Sequence, residues 1–256
     1  MALFKRKKIR HKKGAASSYV KSELLTEESP FIITEAYKAM RTNLMFMLSG
    51  GDSPRKVVAF TSSMANEGKT TTCLNMAIAF AQTGKKTLII DMDMRRPRVH
   101  RYFEIPSSPG LSDRLGDFTK QIPVSKTEYE NLYVLPVGTI PPSPPELLMS
   151  STFDTIMEEL REQYDYVFID TPPIHVVTDL AIIAAKLDGV VFIVRENTVS
   201  LDIVKQSVES LKRVDAKILG FIMNDSKGDA LFTQYKYRRK YKTRYGYSYG
   251  YSFPKE

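Results

Sequence analysis

Short apolar runs alternate with amphipathic stretches through most of the chain. Runs with the length of buried strands lie at 57–60, 166–169, 190–194 and 218–223, and a further one lies within 86–93. Between them, apolar residues recur at the three- and four-residue spacing of helices that bury one face. Strands that alternate with helices predict an α/β fold in which a mostly parallel sheet carries helices on both faces.

Capping residues place several helix ends. Thr34 is expected to cap a first helix, and Gly84 to end a second helix that begins at Lys69. Ser151 or Thr152 is expected to cap a helix over 153–163. Further helical segments are predicted at 111–115, from 146, at 179–186 and at 200–214, with a short strand at 132–136. Together these elements predict one domain over residues 30–225.

Two regions outside this domain lack the pattern. Residues 1–29 contain a basic run and a stretch of mixed composition, and they predict a flexible segment. Residues 226–256 are rich in Tyr, Gly and basic residues and predict a C-terminal tail. No apolar run reaches the roughly 18 residues of a spanning helix, and no secretory signal is evident. The chain has a single cysteine, Cys73, and so few cysteines are typical of proteins of the reducing cytoplasm, which is the expected location.

The formal charge of +8 is concentrated at the two ends. Residues 1–14 and 235–256 hold seven Lys and Arg each, whereas the rest of the chain holds 23 basic and 28 acidic residues. An acidic body argues against a broad nucleic-acid surface, so no nucleic-acid partner is expected. The basic N-terminal run fits either contact with an anionic lipid or polymer, or a solvated tail that aids solubility.

A phosphate-binding loop is predicted where the strand at 57–60 leads into the helix at Lys69. Backbone amides of such a loop and the positive end of the helix bind phosphate groups. Lys69 would reach the β- and γ-phosphates of a nucleotide, and the Thr70 hydroxyl would ligate Mg²⁺. The complete motif has glycine at position 63, where this chain has serine, so an ordinary helix N-terminus is the alternative. The residues expected to bind the nucleotide are Ser63, Met64, Ala65, Asn66, Glu67, Gly68, Lys69, Thr70 and Thr71.

Three carboxylates follow predicted strands. Asp91 and Asp93 end one strand, and their spacing of two residues would point both the same way. Asp170 ends the strand that begins at Tyr166. Ligands of open α/β sheets bind at the carboxyl ends of the strands, and neighbouring carboxylates favour a cation between them. Thr70, Asp91, Asp93 and Asp170 are therefore the expected magnesium ligands.

The tail contains half of the chain's 14 tyrosines. Its composition fits three roles: an edge strand, an aromatic and basic segment that stacks on single-stranded nucleic acid, or a set of mobile hydroxyl groups that enter an active site in turn. The residues concerned are Tyr235, Tyr237, Tyr241, Tyr245, Tyr247, Tyr249 and Tyr251.

Taken together, these motifs resemble the bacterial tyrosine kinases, which share the P-loop fold of the ParA and MinD ATPases. The resemblance covers residues 30–256 and includes Ser63–Thr71 as Walker A, Leu88–Pro97 as Walker A′ and Phe168–Pro173 as Walker B. The proline-rich run 141–148 and the tyrosine cluster also match. Met64 stands where the partitioning and division-site ATPases carry their signature lysine. The form that matches is that of Gram-positive bacteria, in which kinase and membrane-spanning activator are separate chains.

The resemblance implies a kinase that uses ATP and Mg²⁺ and phosphorylates the tail of a neighbouring subunit. Lys69, Asp91 and Asp93 would be catalytic: Asp91 would accept or orient the tyrosine proton, and Asp93 would support the metal. The seven tail tyrosines would be the phosphorylation sites. A MinD- or ParA-like ATPase that switches membrane or polymer association, and a nucleic-acid-binding NTPase, are the alternative functions.

The resemblance also implies partners and an assembly. A transmembrane activator would recruit the chain to the inner face of the membrane, and a tyrosine phosphatase and other protein substrates would complete a system that regulates capsule or exopolysaccharide synthesis. The family's oligomerisation helix has the form Glu-x-x-Arg-x-x-Arg, which corresponds here to Glu35, Lys38 and Arg41. Lysine at position 38 cannot make the bidentate contact of an arginine, which weakens the case for a ring through this helix.

Overall fold

The computed structural model describes residues 23–50, 53–117, 119 and 121–225. Its strands are β1 (Lys56–Ser62), β2 (Thr87–Asp91), β3 (Ser125–Lys126), β4 (Leu132–Leu135), β5 (Tyr166–Asp170), β6 (Gly189–Arg195) and β7 (Ile218–Asn224). The α-helices are α1 (Phe31–Leu48), α2 (Lys69–Ala81), α3 (Val99–Tyr102), α4 (Leu111–Leu115), α5 (Pro144–Leu148), α6 (Ser151–Gln163), α7 (Asp179–Ile183) and α8 (Leu201–Lys212). A 3₁₀ turn over Ala184–Lys186 extends α7.

The seven strands form one sheet in the order β3-β4-β2-β5-β1-β6-β7. All neighbouring strands are parallel except β3 and β4, which are antiparallel. Asp170 at the end of β5 lies in register with Asp91 of β2 on one side and Phe60 of β1 on the other. The carboxyl ends of β1, β2 and β5 therefore meet at one edge of the sheet.

Helices cover both faces of the sheet, as the sequence predicted. Val58 and Phe60 of β1 pack in a core cluster with residues of α1 and α2. Val57 and Ala59 point to the opposite face, where they join residues of α6, α7 and α8. Because successive residues of a strand face opposite sides, a strand buried on both faces is apolar throughout, which explains the unbroken apolar runs.

Three predicted helix starts are wrong, and one of them is that of α5, which begins at Pro144 and not at residue 146. Helix α1 begins at Phe31, and the Thr34 hydroxyl donates to the carbonyl of Pro30 instead of capping the helix. The cap of α6 is Ser150, whose hydroxyl accepts a hydrogen bond from the Phe153 amide at 3.2 Å. The expected caps Ser151 and Thr152 are the first two residues of that helix.

Helix α3 and strand β3 were not predicted. Helix α3 has four residues and β3 has two, so neither is long enough to show a period. Strand β3 exists through its pairing with Tyr133 and Val134 of β4.

Part of the predicted flexible segment over residues 1–29 lies among the described residues. Leu24 and Leu25 are 3% and 4% exposed and pack in the cluster under α1 and α2. Both carry large apolar side chains whose burial stabilises the fold. The packed part of the chain therefore includes residues that the sequence assigned to the N-terminal segment, whose residues 1–22 lie outside the described ones.

A buried carboxylate fixes the start of α4. Asp113 accepts hydrogen bonds from the Gly110 amide at 2.8 Å, the Ser108 hydroxyl and the Thr139 amide. Burial raises the pKa of Asp113, but these hydrogen bonds lower it by more, so the net shift is downward.

Among the helices of the described residues, none has the length and apolar character needed to span a membrane.

Candidate active site

Lys69 lies at the centre of a polar cluster at the carboxyl edge of the sheet. It is the first residue of α2 and is only 9% exposed. Its Nζ is 3.2 Å from Asp93 Oδ2 and 3.5 Å from Asp170 Oδ1. The neighbouring Thr70 hydroxyl donates to Asp170 Oδ2 at 2.7 Å. The structure therefore brings together four of the predicted site residues, which come from α2, β5 and the turn after β2.

The two acids keep Lys69 protonated. Burial alone lowers the pKa of Lys69, but the charges of Asp170 and Asp93 raise it by more, and the net shift is upward. Burial raises the pKa of Asp170 against the opposing charge of Lys69. The Lys69 ammonium group therefore keeps the positive charge that can bind a polyphosphate.

Asp91 and Asp93 do not share one strand face, contrary to the prediction. Strand β2 ends at Asp91, and the chain turns before Asp93. The fully buried Asp91 carboxylate accepts hydrogen bonds from the amides of Asp93, Arg98 and Val99 at 3.0–3.2 Å, whereas Asp93 reaches Lys69. Burial, and then the charge of Asp170, raises the pKa of Asp91 to about 8. In this arrangement Asp91 holds the turn that presents Asp93.

The loop between β1 and α2 is shaped by left-handed residues and by one buried acid. Asn66 and Gly68 have φ angles of +68° and +86°. Glu67 is fully buried, and its carboxylate accepts from the amides of Met64 at 2.6 Å and Arg195 at 3.3 Å. The Met64 amide is therefore bound within the loop instead of being free for a phosphate. Ser63, where the motif has glycine, is buried, and its hydroxyl has no hydrogen-bond partner among the described residues.

Sequence reasoning missed Asn224 and Arg195, which hold this loop from the other side. The side-chain amide of Asn224 donates a hydrogen bond to the Glu67 carbonyl at 2.9 Å. A Cβ at position 68 would lie 2.0 Å from Asn224 Nδ2. Arg195 donates to the Asn66 carbonyl at 3.2 Å and pairs with Asp225 at 2.9 Å. Both residues end strands of the parallel sheet, and the rule that ligands bind at the carboxyl ends of strands is the signal that would have found them.

Arg95, which follows the Asp91–Asp93 turn, pairs with an acid of another element. Its Nη2 is 3.3 Å from Oδ1 of Asp179, a fully buried acid at the start of α7. The second oxygen of Asp179 has no hydrogen-bond partner among the described residues. This pair connects the turn after β2 to α7.

The predicted oligomerisation residues lie on α1, but not on one free surface. Glu35 and Lys38 are exposed and pair with each other at 2.8 Å. Arg41 instead donates to the Ala79 carbonyl of α2 at 2.7 Å. The seven tail tyrosines lie outside the described residues.

Comparisons with known proteins identify the family. The family model described as AAA domain matches residues 55–223. The tyrosine-protein kinase YwqD of Bacillus subtilis is 35% identical over 217 residues, which cover 84% of this chain and 91% of YwqD. The chain belongs to the bacterial tyrosine kinases.

Solved structures of this kinase family share the fold. The chimerical protein CapA2B2 superposes with a TM-score of 0.74 at 37% identity, covering 80% of this chain and 90% of that one. The kinase domain of the Escherichia coli tyrosine kinase ETK gives a TM-score of 0.72 at 27% identity, covering 89% of this chain and 87% of that one. The predicted P-loop fold is confirmed.

Proposed function

We propose that this tyrosine kinase transfers the γ-phosphoryl group of ATP to tyrosines in the 226–256 tail of a neighbouring subunit. The observation that carries the proposal is the position of Lys69 Nζ between Asp93 and Asp170, beside the Thr70 hydroxyl and at the N-terminus of α2. Membership of the bacterial tyrosine kinases supports the choice of acceptor.

The side chains around Lys69 fit a magnesium nucleotide. Asp170 Oδ1 is buried and has no hydrogen-bond partner among the described residues, so it can take a cation. Within the same residues, no group of three or more His, Cys, Asp or Glu is arranged as a metal site. Mg²⁺ usually binds one or two carboxylates together with waters and substrate phosphates, so Thr70, Asp93 and Asp170 suffice for its protein ligands, and Asp91 is the fourth candidate. Bound there, Mg²⁺ would neutralise charge on the phosphates.

In the proposed reaction, the tyrosine oxygen forms a bond to the γ-phosphorus while the bond from that phosphorus to the bridging oxygen of ADP breaks. Lys69 holds the phosphates and offsets their charge, and the free loop amides hold them in place. Asp91 accepts or orients the tyrosine proton. Because its carboxylate is bound to three backbone amides, this role requires the turn over 92–98 to move when substrate binds.

The tail suits regulation by its own phosphorylation. Each phosphate adds about two negative charges near neutral pH, so several would reverse the basic character of residues 235–256. A tail of reversed charge binds less well at an edge of the sheet that carries Asp91, Asp93 and Asp170, and the assembly comes apart. Glu35, Lys38 and Arg41 are the proposed contact between subunits. Arg41 would have to leave the Ala79 carbonyl to take part.

The proposal extends to the partners that the family resemblance implies. A transmembrane activator recruits the protein to the inner face of the cell membrane, and a tyrosine phosphatase removes the phosphates. Through these partners and further protein substrates the kinase regulates capsule or exopolysaccharide synthesis.

Incubation of the full chain with Mg²⁺ and γ-labelled ATP, with and without the activator's cytoplasmic segment, tests the proposal. We expect label on tyrosines of residues 235–251 in the wild-type protein and in Lys85→Met, an exposed lysine that serves as the matched control. Lys69→Met and Asp170→Asn are expected to lose the label. Hydrolysis of ATP without label on the protein would instead support a MinD-like ATPase, and turnover stimulated by DNA would support a nucleic-acid-binding NTPase.

A further inference from the structure

Residues 23–25 cross the first two turns of α2, next to the proposed phosphate loop. Asn75 of α2 is 3% exposed and fixes this segment at two points. Its Oδ1 accepts from the Leu25 amide at 2.8 Å, and its Nδ2 donates to the Glu23 carbonyl at 3.0 Å. Burial of Leu24 and Leu25 adds apolar contacts. The position of Glu23 is therefore set by the fold.

The Glu23 carboxylate lies against the first turn of α2. Its Oε2 accepts from the Thr71 hydroxyl at 3.0 Å and from the Tyr102 hydroxyl at 3.2 Å. Tyr102 is 7% exposed and cannot turn away freely. A helix N-terminus attracts negative charge, so the carboxylate is held where phosphate groups are also favoured.

Glu23 also contributes to the wall of a cavity of about 350 Å³ beside the loop. Gly68, Thr71, Thr72 and Asn224 line the same cavity. A nucleotide that enters the loop therefore brings its phosphates close to the Glu23 carboxylate.

We propose that Glu23 competes with the phosphates of the nucleotide and lowers the affinity of the site for ATP. This inference rests on the proposed function, since it needs a nucleotide at the loop. Two effects act together. The Thr71 hydroxyl donates its hydrogen bond to Glu23 and not to a phosphate, and the carboxylate repels the negative charges of the nucleotide. The affinity of the kinase is thus set partly by a segment that precedes the first helix.

Repulsion predicts that the effect grows with the charge of the ligand. Glu23 should weaken the binding of ATP more than that of ADP and leave adenosine unaffected. Salt should reduce the difference, because Glu23 lies at the surface and its field is screened over about 10 Å at 0.1 M salt. If Glu23 instead bound the ribose or the base, its removal would weaken all three ligands.

The test is the equilibrium binding of ATP, ADP and adenosine to the full chain, measured by calorimetry in the presence of Mg²⁺. Glu23→Gln removes the charge but still accepts a hydrogen bond from Thr71, and Glu23→Ala removes both. Glu27→Gln removes the same charge from an exposed position in the same segment and serves as the control. We expect Glu23→Gln to bind ATP about fivefold more tightly than wild type at low salt, with a smaller gain for ADP. We expect Glu23→Ala to gain at least as much affinity for ATP as Glu23→Gln. The affinity for adenosine, and the affinity of Glu27→Gln for all three ligands, should equal those of the wild type.

Equal or weaker ATP binding by Glu23→Gln would overturn the inference. So would an equal gain for adenosine or for Glu27→Gln. In each of these outcomes the wild-type protein still binds ATP, and the proposed function stands. If the wild-type protein binds no nucleotide, the proposed function fails and the inference fails with it.

Discussion

The replacement Gly68→Ala tests how Asn224, the last residue of β7, holds the phosphate loop. Gly68 has a φ angle of +86°, in the left-handed region, and the Cα hydrogen that a Cβ would replace points at the Asn224 side chain. A methyl group at this position would lie 2.0 Å from Asn224 Nδ2, so the amide has to rotate away. In doing so it loses its 2.9 Å hydrogen bond to the Glu67 carbonyl.

The expected cost has two parts. The left-handed conformation costs a residue with a Cβ about 1–2 kcal/mol, and the lost hydrogen bond costs about 1 kcal/mol more. Gly84→Ala is the matched control, since Gly84 has a φ angle of +79° but no heavy atom within 4 Å of a built Cβ. The control therefore has only the cost of the left-handed conformation. The free energies of unfolding of the two variants should differ by about 1 kcal/mol.

Urea denaturation of five proteins measures this difference: wild type, Gly84→Ala, Gly68→Ala, Asn224→Ala and the double variant Gly68→Ala/Asn224→Ala. With Asn224 truncated there is no side chain to displace, so Gly68→Ala should cost no more in that background than Gly84→Ala costs in the wild-type protein. The reasoning is refuted if Gly68→Ala and Gly84→Ala cost the same in the wild-type background, or if the effects of the two replacements in the double variant simply add.

Three further replacements test other parts of the fold by chemical denaturation. Leu25→Ala should lower the free energy of unfolding by about 2–5 kcal/mol if the segment before α1 is packed, and by almost nothing if it is not. Ser150→Ala should cost about 1 kcal/mol and Thr152→Ala less, since only Ser150 caps α6. A larger cost for Thr152→Ala would instead support Thr152 as the cap, as the sequence suggested. Asp113→Asn should cost about 1–3 kcal/mol near neutral pH. Because the pKa of Asp113 is lowered in the fold, its contribution is complete above its unfolded pKa of about 3.9 and is lost as the pH falls through the folded pKa. A difference from wild type that does not change between pH 6 and pH 3 would contradict this assignment.

Local patterns were sufficient to predict much of the candidate site. Lys69 and Thr70 could be placed because a strand, a loop and a helix follow one another within 57–81. Asp170 could be placed beside them because the carboxyl ends of parallel strands meet at one edge. Both inferences depend on short stretches of chain and on one rule of sheet geometry.

The parts that were missed depend on contacts between distant residues. Asn224 bonds to Glu67 across 157 positions of the chain, and Asn75 bonds to Leu25 across 50. No periodicity reports such pairs. Asp91 was misplaced for a different reason, since the i, i+2 rule holds only within a strand and β2 ends at that residue.

Transfer between two different copies of the chain tests the central claim most directly. The donor is a chain in which all seven tail tyrosines are replaced by phenylalanine, and the acceptor is a Lys69→Met chain with its tail intact. The two are mixed with Mg²⁺, ATP and the activator's cytoplasmic segment, and the acceptor's tail peptides are then analysed by mass spectrometry. We predict phosphotyrosine on the acceptor only when the donor is present. An acceptor that stays unmodified while the donor consumes ATP would contradict the account.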